Sequence, residues 1–332
     1  MACLELDQPI RAGGYAKQIK NWRRGACYAD LAFYCAQHGF TEKARHYLTL
    51  AEEESEKAED WRRDRIRVKI ARAYTLLGQN TQAEEFASNV VESETGKAAD
   101  AKAIAGNKKS FDAQMEELDR LIAKGDFDIL KNVHHACAQL FNQYYEDHEK
   151  RDQAEQKIKT TWNKLPIIVR LQSLMELAEF ALDHGDQAKA LELVDEIQQP
   201  LDDCQWPLEH YLALIGKTER LRGLAGDQDG ARKILGSALE RYDADGETIV
   251  NIFRAEALVP LAEAYQAMGD AESAQTVYAK AIEAGMINPN SRPRAEDLSA
   301  TCVSMAANAF EPSEELRTRI HQISSEELGN PW

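Results

Sequence analysis

The feature that most constrains this chain is a recurring frame in which a glycine is followed, after four intervening residues, by an alanine. It stands at Gly39/Ala44, Gly78/Ala83, Gly185/Ala190, Gly226/Ala231 and Gly269/Ala274. In an alanine-rich chain with 18 glycines, about two or three such pairs would arise by chance, so the surroundings carry the argument. Seven residues before the glycine stand Ala32, Ala71, Ala178 and Ala262, with Glu219 as the one departure. Seven residues after the alanine stand Ala51, Val90, Ile197, Ala238 and Ala281, all small or apolar. Apolar pairs spaced i to i+4 precede the glycine: Leu31/Cys35, Ile70/Tyr74, Leu177/Ala181 and Leu261/Tyr265. Such spacing lines one face of a helix. The glycine ends that helix because it accepts left-handed backbone geometry without steric cost. A polar turn such as Gly185-Asp186-Gln187 follows, and a second helix then starts with alanine at its closest approach to the first, where a larger side chain would push the axes apart. The clearest copy spans residues 258–285.

Bulk composition agrees with helices that each keep one wet face. Of 332 residues, 44% are hydrophobic and 29% charged, and Ala, Glu, Leu, Lys and Gln outweigh strong β formers. The formal net charge of −16 repels phosphate backbones, so nucleic acid is excluded as a general partner. Residues 1–15 hold no apolar core of signal-peptide length, and no apolar run is long enough to span a bilayer. The six cysteines form no C-x-x-C pair; Cys27, Cys35, Cys137 and Cys302 lie in helical stretches and read as small apolar residues of a reducing compartment. The expected location is therefore the cytoplasm.

The order of small residue, glycine, alanine and later small residue resembles the tetratricopeptide repeat family, over about three-quarters of the chain. Two features depart from it. The clear glycine-to-glycine spacings run from 39 to 43 residues, against a family unit of about 34. The aromatic expected early in the first helix is mostly missing. The resemblance implies an all-α fold: an α-solenoid of about seven to eight stacked antiparallel helix pairs in a right-handed superhelix, one domain over residues 1–332.

Two fainter pairs fill the interval between Gly78 and Gly185. One contains Ala113 in the close-contact place; the other has Ala154 there, with Glu149 replacing the glycine. Residues 88–110 are the least apolar and read as a weak or mobile repeat. Pro166 and Pro207 stand where helices should begin, since a proline at a helix start loses no hydrogen bond. Pro260 falls inside a first helix and should kink it or mark its true start. Residues 288–293 read as a loop, and 294–332 as C-terminal capping helices.

Chemistry-bearing motifs are sparse. There is no P-loop, dinucleotide fingerprint, nucleophile elbow or H-E-x-x-H, so no cofactor and no metal are expected. His134-His135-x-Cys137, with His148 beyond, lacks a convergent ligand set and reads as core or surface histidines. The basic run from Trp61 to Lys69 follows an acidic run from Glu52 to Glu56. It reads either as two helices pairing with each other or as a contact for an acidic peptide, extended by Arg23 and Arg24.

In the family, the first helix of each pair lines the concave face. The resemblance therefore points Arg65, Arg72, Gln139, Gln143, Gln172, Glu179, Arg220, Glu256 and Glu263 into a groove running from basic to acidic. Ala29 and Phe33 fill the first unit's places for the clamp that holds acidic chaperone tails, which argues against that role. The implied function is a protein- or peptide-binding scaffold with no membrane partner. A peptide-responsive regulatory sensor is the alternative, and an enzyme a weaker one because no carboxylate pair is singled out. Self-association of the exposed face makes a homo-oligomer a further expectation.

Overall fold

A computed structural model describes residues 2–5, 7–88, 111–124, 127–161 and 164–329. Among them there are helices and turns but no strand. The helices are α1 (Ala2–Glu5), α2 (Pro9–Gln18), α3 (Arg23–Gln37), α4 (Thr41–Glu56), α5 (Asp60–Leu76), α6 (Asn80–Ala87), α7 (Phe111–Lys124), α8 (Phe127–Gln143) and α9 (His148–Thr161). They continue as α10 (Ile167–Asp183), α11 (Gln187–Asp203), α12 (Leu208–Leu224), α13 (Gln228–Asp245), α14 (Asn251–Ala267), α15 (Ala271–Met286), α16 (Ser291–Ala307) and α17 (Glu314–Gln322). Packing divides the chain into two compact units, Met1–Ser173 and Leu174–Trp332, each described here by itself. None of the described helices is long and apolar enough to cross a membrane.

The glycine frame does what its chemistry dictates. Gly39, Gly78, Gly185, Gly226 and Gly269 all have φ between +71° and +106°. At each, the next residue's amide reaches back to a carbonyl five positions earlier: Phe40 to Cys35, Gln79 to Tyr74, Asp186 to Ala181, Asp227 to Arg222 and Asp270 to Tyr265, at 2.8–3.2 Å. This closure satisfies carbonyls that the helix end leaves orphaned. In the second unit the residue after the glycine is aspartate, which also caps the next helix. Asp186 accepts from the Lys189 amide, Asp227 from Gly230 and Asp270 from Ser273, at 2.9–3.1 Å. The alanines sit where the helices touch: Ala44, Ala190, Ala231 and Ala274 are fully buried and Ala83 nearly so.

In the first unit α3 packs on both α4 and α5, α5 on α6, and α8 on α7 and α9. In the second, α12 lies against α11, α13 and α14, and α14 against α15 and α16. First helices thus run side by side, with second helices on their other flank. Seven pairs are complete among the described residues, from α3/α4 to α16/α17. The first helix that would pair with α7 falls within 89–110, outside the described residues, as does nearly all of the expected weak repeat.

Three expectations need correction. Ala113 is only half-buried, because α7 turns Phe111, Met115 and Leu118 inward instead. Pro260 marks no helix start; α14 runs through it from Asn251. The loop ends earlier than Pro293, since α16 starts at Ser291 and a proline in the first turn loses no internal bond. At the N-terminus α2 packs on α3.

The α16 end reproduces the glycine turn without a glycine. Ala309 has φ +48° and the Phe310 amide reaches the Met305 carbonyl at 2.8 Å. A Cβ in the left-handed region costs about 1 kcal/mol or more, so Ala309→Gly should raise stability by about 0.5–1 kcal/mol. Gly216 presents the opposite case: a Cβ there would lie 2.5 Å from the carbonyl carbon of Pro260 and 2.7 Å from the Leu261 nitrogen. Gly216→Ala should therefore destabilise by about 1–3 kcal/mol, because backbone is what blocks the new methyl. Urea unfolding of both variants beside the parent chain checks the two signs together.

Candidate binding faces on the first helices

A first helix flanked by first helices on two sides and by its own second helix on a third keeps only a narrow uncovered stripe. On α5, Arg62, Arg65, Lys69, Arg72 and Leu76 run three or four apart along one unburied stripe, and Arg67 and Tyr74 are half-buried beside it. On α3, Arg23, Cys27, Asp30, Phe33 and Gln37 form the matching stripe, with Arg24 and Ala36 also half-buried. The two stripes interlock. Lys69 donates to both carboxylate oxygens of Asp30 at 2.6 Å, and the Arg72 guanidinium lies 4.6 Å from the Phe33 ring centre. Beside them is a cavity of about 490 Å³ lined by Leu4, Asp7, Asp30, Phe33, His38 and Arg72 among others. His38 is fixed by an Nδ1–H donated to the Tyr34 carbonyl at 2.8 Å and by stacking on the Tyr34 ring.

The residues expected from the sequence all lie off the buried side of their helices, in different surroundings. Arg65 and Arg72 share the α5 stripe; Arg65 is exposed and Arg72 half-buried. On α8, Gln139 is half-buried and Gln143 exposed, and Gln172 is exposed on α10. In the second unit Glu179 keeps a side chain 55% exposed, and Arg220 approaches it at 3.9 Å. Partial burial raises the Glu179 carboxyl above its ordinary range, while Arg220 pulls it down. Glu256 is exposed on α14, and with Glu296 it helps burial push the neighbouring Asp297 carboxyl up to about 6. Glu263 is tied inward: Ser304 donates to it at 2.6 Å, and Tyr278 meets the same Ser304 oxygen at 2.9 Å. A residue so engaged holds α14 to α16 before it meets any partner.

Sequence reasoning missed two constellations. One is Glu219, the departure from the small-residue position, which is fully buried on α12. Arg222 donates from Nε to Glu219 Oε2 at 3.0 Å and from its terminal nitrogen to Asp195 at 3.0 Å. Burial pushes the Glu219 carboxyl up to about 7 against the pull of Arg222. The departure itself was the visible signal. The other is an arginine–tryptophan cluster. Trp22 and Trp61 meet edge to face with ring centres 5.3 Å apart; Arg23 lies 5.4 Å from the Trp22 ring, and Arg62 and Arg65 lie 5.1 and 5.4 Å from the Trp61 ring. Its signal was the tripeptide Trp-Arg-Arg, which stands 17 residues before both Gly39 and Gly78.

The histidine–cysteine cluster is a core feature. His134 is buried, with Nε2 2.9 Å from the Thr161 hydroxyl and Nδ1 3.3 Å from that of Ser173. Those hydroxyls also lie within bonding distance of the Lys157 and Val169 carbonyls. A neutral ring donates from one nitrogen and accepts at the other, so one hydroxyl must turn its proton toward the imidazole. Burial lowers His134 to about 4, with both ring nitrogens engaged by hydroxyls, and pushes the buried Cys137 thiol up to about 12, away from the thiolate that a metal needs. All six cysteines are free.

Compared with known families, residues 256–284 match the tetratricopeptide repeat model, which covers most of α14 and most of α15. No curated protein matches the chain.

The two buried titrating groups set opposite pH responses. His134 stays neutral in the folded chain to about 4 but protonates at its ordinary 6.5 when unfolded. Its contribution is thus full above pH 6.5 and declines toward pH 4, by about 3 kcal/mol at most. Glu219, raised from 4.5 to about 7, contributes most below pH 4.5 and loses that contribution as the pH rises through 7. Urea unfolding across pH 4–8 should show the acid-side loss reduced in His134→Gln and the alkaline-side loss reduced in Glu219→Gln.

Proposed function

We propose that this chain, a divergent tetratricopeptide-repeat protein, is a non-catalytic scaffold that holds a protein or peptide partner on the uncovered faces of its first helices. Such repeats generally mediate contacts between proteins through the surface that the stacked helices leave open. The observation that carries the reading is the charge of those faces. Arg62, Arg65, Lys69 and Arg72 follow one another along α5, three and four residues apart. Like charges at that spacing repel and lower helix stability, and Asp30 on α3 offsets one of them by pairing with Lys69. In the second unit the corresponding stripes carry Glu176, Glu179 and Asp183 on α10 and Glu256 on α14. A partner with a basic segment suits the second unit, and one with an acidic segment suits the first. The free cysteines, with thiols at Cys27, Cys35, Cys137 and Cys302 held above their ordinary range, suit a reducing compartment, and we place the protein in the cytoplasm.

The test is affinity capture from a lysate of the source cell at low and moderate salt. The probes are the parent chain, Arg65→Glu/Arg72→Glu and Glu179→Lys/Glu256→Lys. The expected result is a partner whose recovery falls with salt and falls by about tenfold in one of the two variants, since reversing charges on one face costs about 1.4 kcal/mol or more. Recovery that neither variant changes would remove the first-helix faces as the binding site.

A further inference from the structure

In the Trp22–Trp61 cluster, Trp22 packs against the apolar core of the first unit while Trp61 stands at the surface. Trp61 is 47% exposed, so it contributes little to the core, and its ring is flanked by Arg62 and Arg65. Arg23 occupies the matching place on Trp22. Among the described residues no carboxylate lies within ion-pair distance of Arg23, Arg62 or Arg63, in a chain where 56 acidic residues outnumber 40 basic ones. Arg24 shows that pairing was within reach: it takes Glu54 with both oxygens at 2.9 and 3.0 Å. The first arginine of each Trp-Arg-Arg therefore stacks on a tryptophan and remains unneutralised. These cations also crowd the starts of α3 and α5, where the helix dipole disfavours positive charge. The arrangement recurs in the same register of two successive repeats, 39 residues apart. Repetition in register brings the two sets to one place, because adjacent first helices pack side by side.

We propose that this cluster is a subsite for a phosphorylated side chain, so that the first unit reads a phosphopeptide laid along the α5 stripe. This rests on the scaffold reading above and names its partner class. Stacking on indole holds a guanidinium plane in place while leaving its N–H groups free to donate outward. A carboxylate has one charge and two oxygens, and Glu54 spends both on Arg24 and Lys57. Arg23 and Arg62, stacked on adjoining rings without a carboxylate partner, suit an anion with more charge and more acceptors. A phosphate monoester carries close to two charges and three acceptor oxygens. The rest of the stripe, with Lys69 paired to Asp30 and Arg72 against the Phe33 ring, continues along α5 beneath the flanking residues. Polyanions such as nucleic acid have more charge still, but the acidic remainder of the chain repels them.

The experiment titrates the full chain, by calorimetry, with an acetylated Glu-Glu-phosphoserine-Glu-Glu peptide, its unphosphorylated twin, inorganic phosphate and a short oligothymidylate. The phosphopeptide should bind about tenfold or more tightly than its twin and than inorganic phosphate, with affinity falling as salt rises. Arg23→Lys/Arg62→Lys keeps the charges but loses the planar stacked fork. It should bring the preference for phosphate below about threefold while thermal unfolding stays unchanged. Equal affinity for the two peptides would overturn the proposal, as would a preference that survives the double substitution. Inorganic phosphate binding as tightly as the phosphopeptide would reduce the cluster to a plain anion site and overturn it too, and tighter binding of the oligothymidylate would assign it to nucleic acid. Should neither peptide bind while Arg65→Glu/Arg72→Glu still abolishes partner capture, the phosphate reading falls and the scaffold reading stands.

Discussion

Each repeat depends on one short-range contact, the crossing of two helices at an alanine. Helix axes can approach closely only where both surfaces are small, and Ala44 with Ala32, or Ala274 with Ala262, are fully buried for that reason. The contact requires the chain to reverse within a few residues, which the left-handed glycine makes possible. Neither device works alone. A turn without the alanine would leave the helices splayed, and an alanine without the turn would have nothing to meet. Once a pair is locked, its remaining apolar surface is buried by the next pair, so stability passes from neighbour to neighbour.

The second unit shows how that rule bends. At α12 the small residue is replaced by Glu219, fully buried, and the same helix supplies Gly216, where a Cβ would strike the Pro260 backbone. The two are complementary: Gly216 lets α12 meet α14 at the backbone, and Glu219 fills space with a side chain whose charge Arg222 balances. Arg222 in turn reaches Asp195 on α11 and approaches Asp227 at the following turn at 3.6 Å. A buried ion pair of this kind adds little net stability, because desolvation offsets attraction, but removing one partner is costly. It therefore fixes which neighbours α12 accepts more than how tightly it holds them.

The helix pairs were legible because their signals are local. A glycine at a helix end, an aspartate after it and an alanine five residues on all act within one turn, and periodicity carries the rest. The N-terminal α2 was not legible, since it pairs with α3 outside the glycine frame. The Ala309 turn was hidden because alanine there is held by the surrounding backbone bonds against its own preference. The expectation for Arg65, Arg72, Glu179 and Glu256 came from the family resemblance, and in the structure all four lie off the buried side of their helices. The surroundings of such residues were not legible: that Glu263 binds Ser304, or that Trp22 meets Trp61, depends on packing between elements that sequence spacing cannot resolve.

The most direct test of this account is native-state hydrogen exchange on Ala274→Leu, which forces a larger side chain into one helix crossing. The added volume should cost about 1–3 kcal/mol locally. Protection should fall in α14 and α15 and in the helices packed on them, α12 and α16, while α3 to α6 exchange as in the parent chain. Uniform loss of protection across both units, or no loss at α14 and α15, would contradict the claim that each pair is locked at its own alanine and coupled only to its neighbours.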